Sequence, residues 1–309
     1  MLEEGPAPVT QARRPPLWLL PNLLSLDAPL VAVSWLWMFH RTLRVDYHPA
    51  AAYVVLGLSV WSIYIFDRLL DASMFSHSPE LLEERHKFHL RYRFWFAIAG
   101  AAAGIGALVL ALLSMPMAVL TYALVGGGLV LAFFALALFS SPRSGEVNYL
   151  KNLVAGLTFA YGTAVAAFVY LPSEGIVDLL TSREVRCFSL LCVLNISAID
   201  LWERSSRTHD QEQKASNMLA LTLPLTVLGG VALWFALQAG REVMALGEMP
   251  ADGRDPAVIT RAFYYGVLVS TGLLLILNHK REEYSMACLR VLADVALLAG
   301  VVAYAALAS

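Results

Sequence analysis

Charge is scarce in this chain: of 309 residues only 15% are Asp, Glu, Lys or Arg, and acids and bases nearly cancel to a net charge of −2. A balance this even offers no basic surface for nucleic acid, which is not expected as a partner. Cysteine is scarcer still. Cys187, Cys192 and Cys288 stand at spacings that suit neither a zinc site nor a disulfide framework, so they read as small apolar packing residues. No Gly-rich nucleotide loop and no nucleophilic triad stands out. The leader Met1 to Pro16 is Pro-rich and polar without an apolar run, so it reads as a loose tail rather than a cleavable signal.

What is abundant is apolar surface. Hydrophobic residues make up 58% of the chain and the mean hydropathy is +0.63, values outside the range of an ordinary soluble domain. Segments of about 17 to 25 mainly apolar residues can cross a bilayer as helices. Nine candidates run roughly from Ala28 to Leu43, Ala50 to Phe66, Phe94 to Leu113, Pro116 to Phe139, Leu153 to Leu171, Val185 to Leu201, Met218 to Gln238, Val258 to Leu277 and Ala287 to Leu307. The expectation is an all-α polytopic membrane protein: a tail over residues 1–16 and one transmembrane helical domain over 17–309.

Orientation follows from the 22 Lys and Arg, because retained positive charge marks the cytoplasmic side. With the N-terminus inside, only Arg41, Arg44, Arg183, Arg186, Arg241, Arg254 and Arg261 fall outside, a bias of 15 to 7. The N-terminus is therefore expected in the cytoplasm and the C-terminus across the membrane, here a bacterial inner membrane.

Against this background two acidic pairs demand a reason. Asp67 and Asp71 close one apolar stretch, and Asp200 and Glu203 close another four spans later, on the same predicted side. Ionisable groups at such places mark function. Spacings of four and three put both carboxylates of each pair on one helix face, where their oxygens suit a hard cation such as Mg²⁺. Two such helix ends facing each other would hold a metal-bound diphosphate. The segments also resemble each other, Ser62-Ile63-Tyr64-Ile65-Phe66-Asp67 against Asn195-Ile196-Ser197-Ala198-Ile199-Asp200, as an old internal duplication would leave them.

The helix-two Asp-x-x-x-Asp, the second acidic pair on helix six, the nine spans and the run Tyr149-Leu150-Lys151-Asn152-Leu153-Val154 opening helix five together resemble the UbiA superfamily of intramembrane prenyltransferases. The resemblance covers the chain from about Leu17 onward. It implies a helical bundle around a lipid-accessible cavity, Mg²⁺ as cofactor, and a prenyl diphosphate donor bound through both acidic motifs. Asp67, Asp71, Asp200 and Glu203 are then the expected catalytic and metal-binding residues. The chain departs from the pattern at two positions. Ile63 stands where the family's first motif has Asn, and Arg204 where its second motif has the closing acid; Glu203, one residue earlier and longer, is expected to reach the same metal.

Ionising an allylic diphosphate develops negative charge on the leaving group, so cations near the acids are the next candidates. Lys151 opens helix five, and Asn152, Arg68, Arg204, Tyr64 and Asn195 complete the expected substrate-binding set, with Arg143, Arg207 and Lys214 in loops that could close over it. Trp61, Tyr64, Phe66, Phe159 and Tyr161 offer aromatic faces for an allylic cation. Blander readings are assigned elsewhere. Asp27 beside Pro29 reads as a helix cap, Arg290 and Asp294 as an intrahelical pair with Arg290 snorkelling outward, and the stretch holding His86 and His89 as an interfacial helix rather than a metal site.

The expected activity is prenyl transfer to an apolar or aromatic acceptor drawn from the membrane lipid phase. Two rivals use the same residues. A terpene cyclase would ionise the donor without an acceptor, and a non-catalytic carrier or scaffold would bind a phosphorylated isoprenoid without turnover.

Overall fold

The computed structural model describes residues 16–47, 49–74, 84–139, 149–171, 175–246 and 256–308, and these contain helices and no strand. In chain order the helices are α1 (Leu20–Leu23), α2 (Asp27–Thr42), α3 (Ala50–Met74), α4 (Glu84–Arg91), α5 (Arg93–Ser114), α6 (Val119–Phe139), α7 (Tyr149–Phe168), α8 (Ile176–Thr181), α9 (Arg183–Arg207), α10 (Gln211–Leu246), α11 (Pro256–His279) and α12 (Met286–Ala308).

A helix runs through each of the nine apolar segments, because a helix satisfies its own backbone hydrogen bonds where lipid offers none. Seven of these helices are long and apolar enough to cross a membrane: α3, α5, α6, α9, α10, α11 and α12. The count reaches eight when α2 is joined to the short run Leu17–Leu23, from which it is bent by 80°. The bend falls at Ser25, which takes a left-handed φ of 56°, just before Asp27 and Pro29 start α2. Helix α7 is not among the seven; Tyr149, Lys151 and Asn152 open it and dilute its apolar run.

The packing places α2 and α9 at the centre. Helix α9 touches α7, α10, α11 and α12, and α2 touches α3, α7, α11 and α12. Trp35 and Phe39 of α2 meet Phe188 of α9, the first stacked at 4.4 Å and the second edge-on at 5.5 Å. At the periphery α3 packs on α5 and α6 packs on α7, while α5 and α6 make no comparable contact with each other. Their outer faces carry exposed Ile105, Val109, Leu124 and Leu131, as lipid-facing surface should. Small residues set the closest approaches. A Cβ added to Gly156 of α7 would lie 2.6 Å from the backbone of Val193 in α9, and one added to Gly266 of α11 would lie 2.7 Å from the Gly300 carbonyl oxygen of α12.

Candidate functional site

Helices α3 and α9 each run for 25 residues, well past the apolar stretches that announce them. The acidic pairs therefore sit within the final turns of continuous helices, not after them. In both, the first acid stands seventeen residues beyond the first residue of its helix, Asp67 after Ala50 and Asp200 after Arg183. This shared register adds to the sequence likeness of the two segments. Ile63 and Ile196, at matching positions four residues before these acids, both face the same cavity. Ser62 and Asn195, one residue earlier, diverge: the Ser62 hydroxyl donates to the Gly100 carbonyl at 2.9 Å, whereas Asn195 faces the cavity.

That cavity, about 960 Å³, lies between α2, α3, α5, α6, α7, α9 and α12. Tyr64, Asp67, Arg68, Asp71, Lys151, Asn152, Asn195, Asp200, Glu203 and Arg204 all line it, so every residue of the expected set is brought together. The charged groups collect at one end. Toward the other, the walls are Val55, Leu56, Ala111, Met115, Val119, Tyr122 and Val165. From Val55 to Asp71 the cavity follows α3 over about 24 Å at the helical rise, most of the depth of a hydrocarbon core.

At the charged end the two acidic pairs are bridged by consecutive residues of α7. The Lys151 ammonium lies 3.7 Å from the Asp71 carboxylate and 5.7 Å from the centre of the Phe133 ring, and the Asn152 amide donates to Asp200 at 2.9 Å. Glu203 has different company. Its Oε1 accepts from Nε of Arg290 at 3.0 Å and from Nη2 of the same guanidinium, and its Oε2 lies 3.9 Å from Arg207. Arg290 is thus turned inward and only 5% exposed, which corrects the expectation that it snorkels to the surface. The pull is Glu203 across the helix interface, a stronger partner for a guanidinium than headgroup water at this depth.

A second polar cluster lies beside the first acidic motif, and the sequence reading did not assemble it. Asp27 is the first residue of α2 and accepts from the Ala28 amide at 3.0 Å, the cap-like part of its role. It also accepts from the Asn22 amide at 2.5 Å and lies 3.9 Å from the buried Arg68. Asp294 of α12 lies close enough to Asp27 and Asn195 to interact with both, and lines the same cavity. Within this cluster Arg68 Nε and Asn195 Oδ1 are buried without a hydrogen-bond partner, a cost that a polar ligand in the cavity would relieve. The signal was present in the sequence as two further acids inside apolar segments; what was missing was the fold that joins α2, α3, α9 and α12.

Of the aromatic candidates, Tyr64, Phe159 and Tyr161 line the cavity, with the Tyr64 and Phe159 rings 6.5 Å apart and edge-on. Phe66 points outward at 38% exposure, and Trp61 instead donates its indole N–H to the Leu24 carbonyl at 2.9 Å, tying α3 to the bend before α2. Both corrections follow from helix geometry: one and six residues before Asp67 fall on other faces. Arg207 reaches the cavity together with Thr208 and Gln213, but Lys214 does not line it, and Arg143 lies outside the described residues. His89 is fully buried and stacked on Phe96 at 4.4 Å. Cys187 and Cys192 are buried and Cys288 is partly buried, all three as free thiols.

Among the described residues no three His, Cys, Asp or Glu side chains converge as a ready-made metal cage. The donor chemistry nonetheless fits Mg²⁺, which is held through one or two carboxylates plus substrate phosphate oxygens rather than by an all-protein cage. Asp71 and Asp200, offset now by Lys151 and Asn152, are oxygen donors of that kind on facing helices. Comparison with known protein families, characterised proteins and solved structures finds no match to the chain.

Proposed function

We propose that this protein is a Mg²⁺-dependent intramembrane prenyltransferase of the UbiA type, built on nine membrane-spanning helices, that ionises a prenyl diphosphate and transfers the prenyl group to an apolar or aromatic acceptor. The observation that carries this reading is the polarity of the large cavity: both acidic pairs and their cations at one end, and apolar walls along the rest of a total length of about 24 Å. An amphiphile with a compact polyanionic head and a long hydrocarbon tail matches that shape.

Bound Mg²⁺ would supply Lewis-acid stabilisation of the diphosphate leaving group. Asp67, Asp71 and Asp200 are the residues proposed to hold it. Lys151 and Arg204 bring positive charge toward the phosphate oxygens, and the N-terminal amides of α7 add to it. Asn152 keeps Asp200 aimed into the cavity. Tyr64 and Phe159 line the path of the tail nearest the charged end, where aromatic faces favour a developing allylic cation, while Tyr161 stands deeper, its hydroxyl donating to the Tyr122 carbonyl at 2.9 Å. The sparse packing of α5 against α6 would allow a lateral way in for lipid-borne substrates.

The test is incubation of the purified protein with prenyl diphosphates of graded chain length and Mg²⁺, with mass analysis of all products. Mg²⁺-dependent diphosphate release with a co-substrate requirement supports transfer, and release without one supports the cyclase reading. Binding of donor with no release at any chain length leaves only the carrier reading.

A further inference from the structure

From the pairing at the charged end of the cavity, and resting on the diphosphate reading above, we infer that Glu203 is not a metal ligand but a positioning residue, and that the group it positions, Arg290, binds the donor diphosphate. Three observations carry this. Glu203 already has its charge offset by two guanidiniums, Arg290 through two N–H groups to one oxygen and Arg207 near the other. A carboxylate in that setting gains little from a divalent cation unless Arg290 gives up its partner. Arg290 is 5% exposed, so releasing it would leave a largely buried guanidinium without its carboxylate.

The second observation is where Arg290 stands. It lines the same cavity as Asp71, Lys151 and Asp200, from a fourth helix, α12, and joins Lys151, Arg204 and Arg207 as a basic group on its walls. A planar guanidinium held at Nε and one Nη by a carboxylate has its orientation fixed, which is the arrangement suited to phosphate oxygens. The third is the contrast with Asp200. Asp200 accepts from the neutral amide of Asn152 and makes no direct ion pair among the described residues, which leaves its oxygens freer for a cation than those of Glu203. The two acids of the second motif thus divide the work: Asp200 toward metal, Glu203 toward Arg290. The division also accounts for Arg204 following Glu203, since a diphosphate site gains from a cation there as much as a metal site loses from it.

The experiment uses the full-length protein in detergent, Mn²⁺ as the metal probe read by electron paramagnetic resonance, and inorganic pyrophosphate as the head-group probe read by calorimetry. Arg290→Gln should weaken pyrophosphate binding by roughly 30-fold or more, the scale of losing a desolvated charge pair, with Mn²⁺ affinity within about twofold of wild type. Glu203→Gln should lower pyrophosphate affinity in the same direction and leave Mn²⁺ binding alone, whereas Asp200→Asn should lower Mn²⁺ binding. Arg290→Lys should recover part of the lost affinity. The double variant Glu203→Leu/Arg290→Met removes the buried pair without stranding a charge, so it keeps the fold testable; it too should lose pyrophosphate and keep Mn²⁺. Glu203→Gln reducing Mn²⁺ binding as Asp200→Asn does, or Arg290→Gln binding pyrophosphate like wild type, would overturn the inference. Wild-type protein that binds neither probe overturns the diphosphate reading itself, a pattern distinct from either of those.

Discussion

Asn152 and Lys151, neighbours at the start of α7, reach in opposite directions: the Asn152 amide to Asp200 on α9 at 2.9 Å, and the Lys151 ammonium to within 3.7 Å of Asp71 on α3. One turn of one helix therefore ties the two acidic motifs together. The link is polar and lies at the cavity end where a diphosphate would sit, so each bond can be exchanged for one to substrate without unfolding the bundle.

Lys151→Ala should accordingly weaken donor binding by roughly tenfold or more, as expected for losing a charge-assisted contact to phosphate. The melting temperature should stay close to wild type, because the ammonium is partly exposed and its pair with Asp71 is worth little in stability. Equilibrium binding of a prenyl diphosphate checks it; unchanged affinity would make Lys151 a membrane-surface anchor.

Replacing Asp67 or Asp200 with Asn keeps size and removes a ligand charge. Turnover should fall at least ~100-fold, the scale of a few kcal/mol of lost transition-state stabilisation. The measurement is Mg²⁺-dependent diphosphate release at saturating donor. Full activity in either amide variant would move the site away from the acidic pairs.

The ten expected site residues were legible because their signal is local: an acid in an apolar run is conspicuous, and i, i+3 or i, i+4 spacing fixes which side chains share a face. Lys151 and Asn152 were legible for a similar reason, as polar groups at the opening of an apolar helix. What the sequence could not supply was partnership across helices. Arg290 and Asp294 are four residues apart and invite pairing with each other, yet Arg290 bonds to Glu203 and Asp294 lies beside Asp27 and Asn195, residues far away along the chain. Of the nine helices that match the nine expected spans, seven are long and apolar enough to cross a membrane, or eight with α2 joined to Leu17–Leu23. Helix α2 is too short to count alone, at 16 residues, and the polar opening of α7 dilutes its apolar run.

Topology is open to direct measurement. By the 15 to 7 distribution of Lys and Arg, the N-terminus and the charged end of the cavity are expected in the cytoplasm. Single cysteines introduced at Arg207 and at Ser309, in a background with Cys187, Cys192 and Cys288 replaced, should label from opposite sides with a membrane-impermeant reagent. Labelling of both from the same side would reject the nine-span arrangement.

Gly156 connects packing to the site most directly. It stands one turn after Asn152 on α7, where α7 crosses α9 so closely that an added Cβ would meet the Val193 backbone at 2.6 Å. Backbone cannot rotate away as a side chain would, so Gly156→Ala must push the helices apart, at a cost of about 1–3 kcal/mol for overpacking. Gly106→Ala is the control, since nothing lies within 4 Å of its new Cβ and alanine favours a helix by up to about 1 kcal/mol. Its melting temperature should hold or rise while that of Gly156→Ala falls. The separation also acts on the site: moving α7 from α9 lengthens the Asn152 to Asp200 bond and displaces Lys151 with it, so donor affinity should drop in Gly156→Ala at temperatures where the variant remains folded. Normal stability together with normal donor affinity would mean that the α7 and α9 crossing has more slack than the geometry allows, and that Asn152 does not depend on it for its place.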